Sequence, residues 1–392
     1  MASPRSRPPR AVGKVPFNRP YTTGREFEYI QEAIDNGHLS GRGPFDQRCT
    51  DWLERRTGTH QAFLTFSCTS ALEMATILAG VREGDEVVMP SFTFVSTATA
   101  IALRGAVPVF VDVREDTLNL DEALVEAALT ERTRAILPVH YAGVSCDMDA
   151  ICQLARDRGL AVIEDAAQGL MSSYDGRPLG AIGELGCLSF HETKNVHCGE
   201  GGALLVNDPA LVERAEVVQE KGTNRRQFFR GQVDKYTWVD IGSSFLTSEV
   251  NAAFLWAQLE AAENITERRL AIWERYHERF AELERRGVVR RPVVPDHCTN
   301  NAHMYYLLLP DEADRDHLIR RLGEQGIQAV FHYVPLHSSP AGRRLGRSDR
   351  PLPVTDSVSS RLVRLPLWPA LPDDEVERIA DETAAAVEAA VA

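Results

Sequence analysis

Lysine is scarce in this sequence: Lys14, Lys194, Lys221 and Lys235 are the only four among 43 lysines and arginines. Arginine stays protonated and cannot act as a neutral amine nucleophile, so a lysine kept where arginine is the rule is a candidate for chemistry. Long apolar runs are also missing. None approaches the roughly 20 residues that a membrane span requires, which excludes a membrane partner of that kind. The first residues, MASPRSRPPRAVGK, lack the apolar core of a secretory signal, and residues 1–16 read as a short disordered basic arm. Net positive charge is absent as well: the formal charge is −13, which argues against binding nucleic acid or anionic membrane through bulk charge. A local cationic patch could still take an anionic small molecule. The cysteines (49, 68, 146, 152, 187, 198 and 298) are odd in number and irregularly spaced. That pattern fits reduced thiols in a cytoplasmic protein, not a disulfide framework.

What remains is a globular chain of 392 residues, 44% hydrophobic, with enough material for two domains. Seven short β-rich runs lie between residues 61 and 207: QAFLTF (61–66), EVVMP (86–90), PVFVDV (108–113), AILPVH (135–140), AVIEDA (161–166), LGCLSF (185–190) and GALLVN (202–207). Helical patterns such as SALEMATILAG and MDAICQLARDRG fill most of the gaps, which predicts βαβ units around a buried, mostly parallel sheet. The last gap, 191–201, is too short and glycine-rich for a crossover helix, so the seventh strand is expected to run antiparallel. Beyond residue 245 a long helical stretch suits a connector. A strand (304–310), a helix (314–325) and another strand (327–334) then predict a smaller α/β domain. The expected division is 17–260 for the large domain and 261–392 for the connecting helix and small domain.

In open α/β sheets ligands bind beyond the carboxyl ends of the strands. Those ends carry Ser67-Cys68-Thr69-Ser70, the run PSFTF (90–94), Glu164-Asp165 followed by AAQ, and Ser189 leading to Lys194. Ser70 with Glu73 three residues on is a capping-box pattern, which predicts a helix start at Thr69 or Ser70 and free N–H groups suited to a phosphate. Taken singly, a capped helix, a capping aspartate and a surface lysine are all ordinary features. Together they supply what pyridoxal 5′-phosphate (PLP) needs: a lysine for a Schiff base, a carboxylate for the pyridine nitrogen, an anion site and an aromatic ring.

The segments PSFTFVSTATA (90–100), EDAAQ (164–168), SFHETKN (189–195), GEGGAL (199–204) and HYVPLH (332–337) carry a resemblance to the DegT/DnrJ/StrS sugar aminotransferases. It extends from about Phe17 to the C-terminal helix and implies the type I (aspartate aminotransferase-like) α/β fold: a mostly parallel seven-stranded sheet with helices on both faces, plus a smaller C-terminal α/β domain. Within the family, KGTNRRQFFRGQVDKYTWVDIGSSFLTSE (221–249) is most similar to the WecE/RffA type, which acts on TDP-4-oxo-6-deoxyglucose. An arginine-rich, lysine-poor composition adds the expectation of a GC-rich genome and an antibiotic aminosugar pathway, such as that for calicheamicin.

By this resemblance Lys194 forms the Schiff base, Asp165 pairs with the pyridine nitrogen and Gln168 lies near the ring hydroxyl. Phe94 covers the ring, Thr69, Ser70 and Ser189 hold the phosphate, and His332 lies near the sugar. Two departures stand out. Cys68 replaces the usual glycine of the phosphate turn, and Gly242-Ser243-Ser244-Phe245 stands where many relatives carry an asparagine given across a dimer, with Ser244 as its substitute. The expected reaction converts a TDP-linked 4-oxo-6-deoxy sugar to the 4-amino sugar with L-glutamate as donor, in a homodimer with active sites at the subunit interface. Amination at C3 and a non-catalytic sensor of PLP or sugar nucleotide are the alternatives. Lys194 itself argues against the dehydratase branch of the family, in which histidine replaces the lysine.

A sugar diphosphate needs cations on this acidic protein. Lys221, Arg225, Arg226, Arg230 and Lys235, interleaved with Phe228 and Phe229, are the candidates, although a solvated basic loop reads equally simply. Tyr236 and Trp238 could shape the sugar or base pocket, or pack in a core. His191, His197 and Cys198 crowd one loop without a fourth ligand, so no metal is expected.

Overall fold

The apolar runs become a sheet because each can bury both faces. The computed structural model describes residues 13–391. Helices α1 (Glu26–Asp35) and α2 (Pro44–Thr57) come first, followed by β1 (Gln61–Thr65), α3 (Cys68–Leu78), β2 (Glu86–Pro90), α4 (Val95–Ala102) and β3 (Val107–Val111). Next come α5 (Glu122–Ala128), β4 (Thr133–Ile136), α6 (Met148–Arg158), β5 (Ala161–Asp165), a small hairpin of β6 (Ser173–Tyr174) and β7 (Arg177–Pro178), β8 (Leu185–Ser189) and β9 (Gly202–Val206). The sheet order is β1-β9-β8-β5-β4-β2-β3. As expected from the short 191–201 gap, β9 runs antiparallel to both neighbours, while every other pairing is parallel.

Successive strand residues point to opposite faces. Ala62, Leu64, Val88, Ile136, Val162, Leu188 and Leu205 pack in one core with α1, α2, α6 and a later helix, α9. Phe63, Val87, Met89, Ala135, Ile163, Cys187 and Leu204 pack in another with α3, α4 and the helix Val212–Gln219. Helices therefore cover both faces, and the loops at the strand ends are left to carry function.

The C-terminal half is mostly helical: α7 (Val212–Gln219), α8 (Arg225–Phe229), α9 (Glu249–Glu260), α10 (Ala262–Arg279) and α11 (Ala281–Arg285). The long helical stretch is thus broken at Ala261 and Phe280. Then follow β10 (Cys298–Thr299), β11 (Tyr305–Leu308), α12 (Glu312–Glu324), β12 (Val330–Phe331), α13 (Pro340–Leu345), α14 (Pro353–Arg361), β13 (Leu362–Leu365) and α15 (Asp373–Val391). A second sheet, β11-β13-β12, is antiparallel and shares a core with α10, α12 and α15. The strand expected over 327–334 is split. Only Val330 and Phe331 pair with β13, while Ile327 bridges Val15. That bridge also corrects the reading of 1–16 as one loose arm: Val15 is buried and its N–H donates to the Gly326 carbonyl at 2.8 Å. Residues 1–12 lie outside the described residues.

One buried carboxylate ties the start of β2 to the second half. Glu86, 1% exposed at the start of β2, accepts from Thr130 Oγ1 (2.7 Å), from Arg347 (2.8 and 3.2 Å) and from Arg132. Burial alone would raise this carboxyl, but the Arg347, Thr130 and Arg132 donors outweigh it and bring the pKa to about 2, from an ordinary value of 4.5. A depressed folded-state pKa gives stability that is present above the unfolded value and lost as pH falls through the folded one. The shift is worth on the order of 3 kcal/mol. Glu86→Gln should cost about that much at neutral pH. It should also flatten the loss of denaturant midpoint between pH 4.5 and about 2. An unchanged acid limb in the variant would assign that loss to other carboxylates.

Candidate active site

A cavity of about 440 Å³ lies beyond the carboxyl ends of β1, β2, β5 and β8, roofed by residues from the C-terminal half. Each sheet element contributes through the loop that follows it. After β1, Ser67 is extended (φ −162°, ψ 162°) and caps α3, its Oγ accepting from the Ser70 N–H at 3.1 Å. The helix therefore starts at Cys68, earlier than the Ser70–Glu73 pattern predicts. Ser70 is buried with its hydroxyl 2.9 Å from Ser67 Oγ and does not line the cavity, whereas Ser67, Cys68 and Thr69 do. The first N–H groups of a helix have no intrahelical acceptor, so those of Cys68 and Thr69 suit an anion. Gly202, opening β9, permits this packing: a Cβ there would meet the Cys68 nitrogen at 2.5 Å.

After β2, Phe94 sits at the start of α4, 58% exposed and facing the cavity, its ring centroid 6.5 Å from that of Tyr333. At the end of β5, Asp165 is 5% exposed. Its Oδ2 accepts from Thr97 Oγ1 at 2.8 Å and its Oδ1 from the Ala167 N–H at 3.1 Å. Burial raises its pKa against the pull of those donors and of Lys194. Asp165 has no ion pair among the described residues, and its carboxylate borders the cavity. Gln168 is fixed by the Ala142 N–H (2.7 Å to Oε1) and donates to Tyr333 Oη at 3.3 Å.

After β8, Ser189 lines the wall, and a turn closed by the Lys194 N–H to the His191 carbonyl (2.9 Å) delivers Lys194 into the cavity. Burial lowers the Lys194 pKa, and the charge of Arg364 lowers it further, against Cys68 and Asp165. A larger share of this amine is therefore neutral than for a surface lysine. His332 is anchored by Tyr141 Oη at 3.1 Å and stacked on Tyr333 (centroids 3.4 Å apart); burial, then Arg364 and Lys194, hold its pKa well below the ordinary value.

Beneath Asp165 lies a buried pair, His140 and Glu164, of which the sequence pattern marked only Glu164. His140, fully buried, lies with Nε2 2.9 Å from Glu164 Oε2, and its Nδ1 accepts from the Cys146 N–H at 3.2 Å. An Nδ1 that accepts leaves the proton on Nε2, pointing at Glu164. Glu164 also accepts from the N–H groups of Gly180, Ile182 and Gly183. The His140 N–H in turn donates to the Asp165 carbonyl at 3.1 Å.

Other predicted residues fall elsewhere. Ser244 bridges Glu220 away from the cavity. None of Lys221, Arg225, Arg226, Arg230, Lys235 and Tyr236 lines it. Arg226 and Arg230 both bind Glu216 (2.8 and 2.7 Å), and Arg225 lies 3.6 Å from Glu220. These arginines are thus paired within the chain, not presented as free charge. Phe229, Tyr236 and Trp238 are exposed beside them. The loop residues His191, His197 and Cys198 have separate partners: Thr193 Oγ1 (2.9 Å), the Tyr21 carbonyl (2.8 Å) and the Glu200 carbonyl (3.4 Å). The lining residues absent from the sequence reading are chiefly from the C-terminal half, Arg269, His303, Tyr333 and Arg364. A charged residue inside the apolar strand LVRL was the available signal for Arg364.

An amine, an unpaired buried carboxylate, a helix N-terminus and an exposed ring around one cavity fit PLP. Comparison with known proteins agrees. The DegT/DnrJ/EryC1/StrS aminotransferase family model matches residues 20–384. The spore coat polysaccharide biosynthesis protein SpsC of Bacillus subtilis (strain 168) is 33% identical over 373 residues, 93% of this chain and 95% of SpsC. The aminotransferase TlmJ from Streptoalloteichus hindustanus is similar in structure with a TM-score of 0.87 at 33% identity, covering 96% of this chain and 100% of TlmJ. Spr1654 from Streptococcus pneumoniae, in its PMP form, has a TM-score of 0.88 at 26% identity over 96% of this chain and 98% of that one, and it is also known in a PLP form. The chain belongs to the DegT/DnrJ/EryC1/StrS family, and it is a PLP-dependent sugar aminotransferase with the type I fold.

Proposed function

We propose that the enzyme transfers the amino group of L-glutamate to a TDP-4-oxo-6-deoxyhexose, giving the TDP-4-amino-4,6-dideoxyhexose, in the making of an aminosugar for an antibiotic or a cell-surface glycan. The observation that carries the chemistry is the convergence of Lys194, Asp165 and the α3 N-terminus on one cavity. The choice of sugar rests on the similarity of residues 221–249 to the WecE/RffA type, and the polysaccharide role named for SpsC supports a glycan setting.

Bound PLP supplies a carbonyl that carries the amino group and a ring that accepts the electrons released at the donor α-carbon. Lys194 Nζ is the nucleophile that holds the cofactor and, once released, the base that takes the α-proton of the donor and returns a proton to the sugar carbon. Asp165 would pair with the ring nitrogen and keep a proton there. Cys68 and Thr69, through backbone N–H groups, and Ser189, through its hydroxyl, hold the phosphate. Phe94 would cover the ring and Gln168 would orient its hydroxyl. His332, neutral, lies against the sugar. Lys221 and Lys235, with no carboxylate partner among the described residues, are left for the diphosphate, with Tyr236 beside them. That segment lies outside the chain's own cavity, so it and Ser244 serve the site of a second copy in a homodimer.

Thr97 positions Asp165, and its hydroxyl favours the ionised form. Thr97→Val should lower kcat about 10-fold, the worth of a hydrogen bond to a charged group. Because that bond lowers the Asp165 pKa, its removal should move the acid limb of the kcat–pH profile to higher pH. A fall in kcat without this displacement would leave Thr97 a purely structural role. The function as a whole is tested by supplying purified holoenzyme with L-glutamate and TDP-4-oxo-6-deoxyglucose. The expected products are 2-oxoglutarate and a sugar aminated at C4 by NMR. Amination at C3, or turnover only with sugars lacking the 4-oxo group, would replace this substrate.

A further inference from the structure

Three side chains lining the cavity carry permanent or potential positive charge of the lysine or arginine type: Lys194, Arg269 and Arg364. Two of them are already committed. Lys194 is taken by the cofactor on the reading above. Arg269, 2% exposed, donates from Nε to the Ala302 carbonyl at 3.0 Å and from Nη2 to the His303 carbonyl at 2.7 Å, so it braces the loop before β11.

Arg364 is different. It projects from β13, between buried Val363 and Leu365, and its guanidinium lies over the Phe17 ring with the central carbon 4.6 Å from the centroid. Among the described residues the guanidinium makes one hydrogen bond, and it is long: Nη2 to the Phe331 carbonyl at 3.3 Å. Its Nε is buried without a partner, and it has no ion pair among the described residues. A half-buried guanidinium with a shielded, unpaired Nε and no carboxylate keeps donors free for a ligand that enters the cavity.

The ligand's sign and shape follow from what else fills the cavity. The phosphate of the cofactor has the α3 N-terminus, the ring nitrogen has Asp165, and a hexose brings only hydroxyls and a carbonyl to the reacting end. The amino donor alone brings a carboxylate, which Arg can grip through two parallel N–H···O bonds. We infer that Arg364 binds a carboxylate of the amino donor and so separates the donor half-reaction from the sugar half-reaction. This rests on the aminotransferase reading above and assigns a residue for the donor within it. The same closeness has a second effect: with the carboxylate gone, as when the sugar enters, Arg364 faces the cavity uncompensated and favours the neutral amine of Lys194.

The test uses holoenzyme and its Arg364→Gln and Arg364→Lys variants, with folding checked by thermal melting and cofactor loading by absorbance. Binding of glutarate, which carries carboxylates but cannot react, is measured by calorimetry beside binding of TDP. Arg364→Gln should weaken glutarate at least roughly 30-fold, as for loss of one partner of a buried charged pair, and leave TDP unchanged. Arg364→Lys, which keeps the charge but not the two-pronged geometry, should fall between. In single turnover, the glutamate concentration giving half the maximal rate should rise in Arg364→Gln far more than the corresponding concentration of 4-oxo sugar with aminated cofactor, whose own rate changes only through the Lys194 amine. Unchanged glutarate binding in a folded Arg364→Gln, or weakened TDP in place of glutarate, overturns the assignment. If the unaltered enzyme accepts glutamate but no 4-oxo sugar, the choice of sugar fails and the role of Arg364 stands.

Discussion

Holoenzyme in which Lys194 is replaced by alanine should lose turnover by roughly 10⁴-fold or more, because one side chain serves as both the covalent nucleophile and the proton-transfer base. Lys194→Arg should be about as inactive. It restores the positive charge and much of the volume but cannot offer a neutral amine, so it separates amine chemistry from electrostatics. The site favours the neutral form: burial and the nearby Arg364 charge both lower the Lys194 pKa. Both variants should still fold, since the side chain lies in the cavity and the turn that carries it is held by the Lys194 backbone N–H. Added methylamine should recover part of the Lys194→Ala rate and none of the Lys194→Arg rate, where the space is filled. Substantial unrescued turnover in Lys194→Ala would remove the residue from the chemistry.

Asp165→Asn should retain cofactor and lose most of the rate, on the order of 10²–10³-fold, the usual cost of deleting one preorganised electrostatic partner. The change is nearly isosteric. The asparagine Oδ1 can still accept from the Ala167 N–H, and its amide N–H can donate to Thr97 Oγ1 in place of the bond that Asp165 accepts there, but the negative charge that keeps the ring nitrogen protonated is gone. Because the lost charge matters most where electrons enter the ring, both half-reactions should slow together. That pattern distinguishes Asp165 from Arg364, whose loss falls mainly on the binding of the donor. An Asp165→Asn enzyme within a few-fold of the original would place the ring nitrogen elsewhere.

Much of the frame was legible because the sheet obeys short-range rules. The alternation of Ala62, Phe63 and Leu64 between two cores follows from strand geometry alone, and the antiparallel β9 follows from a gap too short for a helix. Asp165 and Lys194 could be picked out because strand ends in such sheets carry function. The α3 cap was misplaced because two serines compete: Ser70 and Glu73 form the pattern, but Ser67 makes the bond. The pairing of Arg226 and Arg230 with Glu216 depends on how the segment after α7 folds back, which spacing does not encode. The roof of the site, His303, Tyr333 and Arg364, comes from docking the second sheet onto the first; the charge inside the apolar strand LVRL marks Arg364, but nothing local says which cavity it lines. Helices α1 and α2 were not anticipated, although their packing against α9 completes one face of the sheet.

The scarcity of lysine makes the central claim open to a single direct measurement. Holoenzyme is reduced with borohydride, digested, and the peptide carrying the reduced cofactor is identified by mass spectrometry. The described site predicts the label on the peptide containing Lys194, with the peptides of Lys14, Lys221 and Lys235 unmodified. Label on any of those three, or cofactor that washes away unreduced from active enzyme, would contradict it.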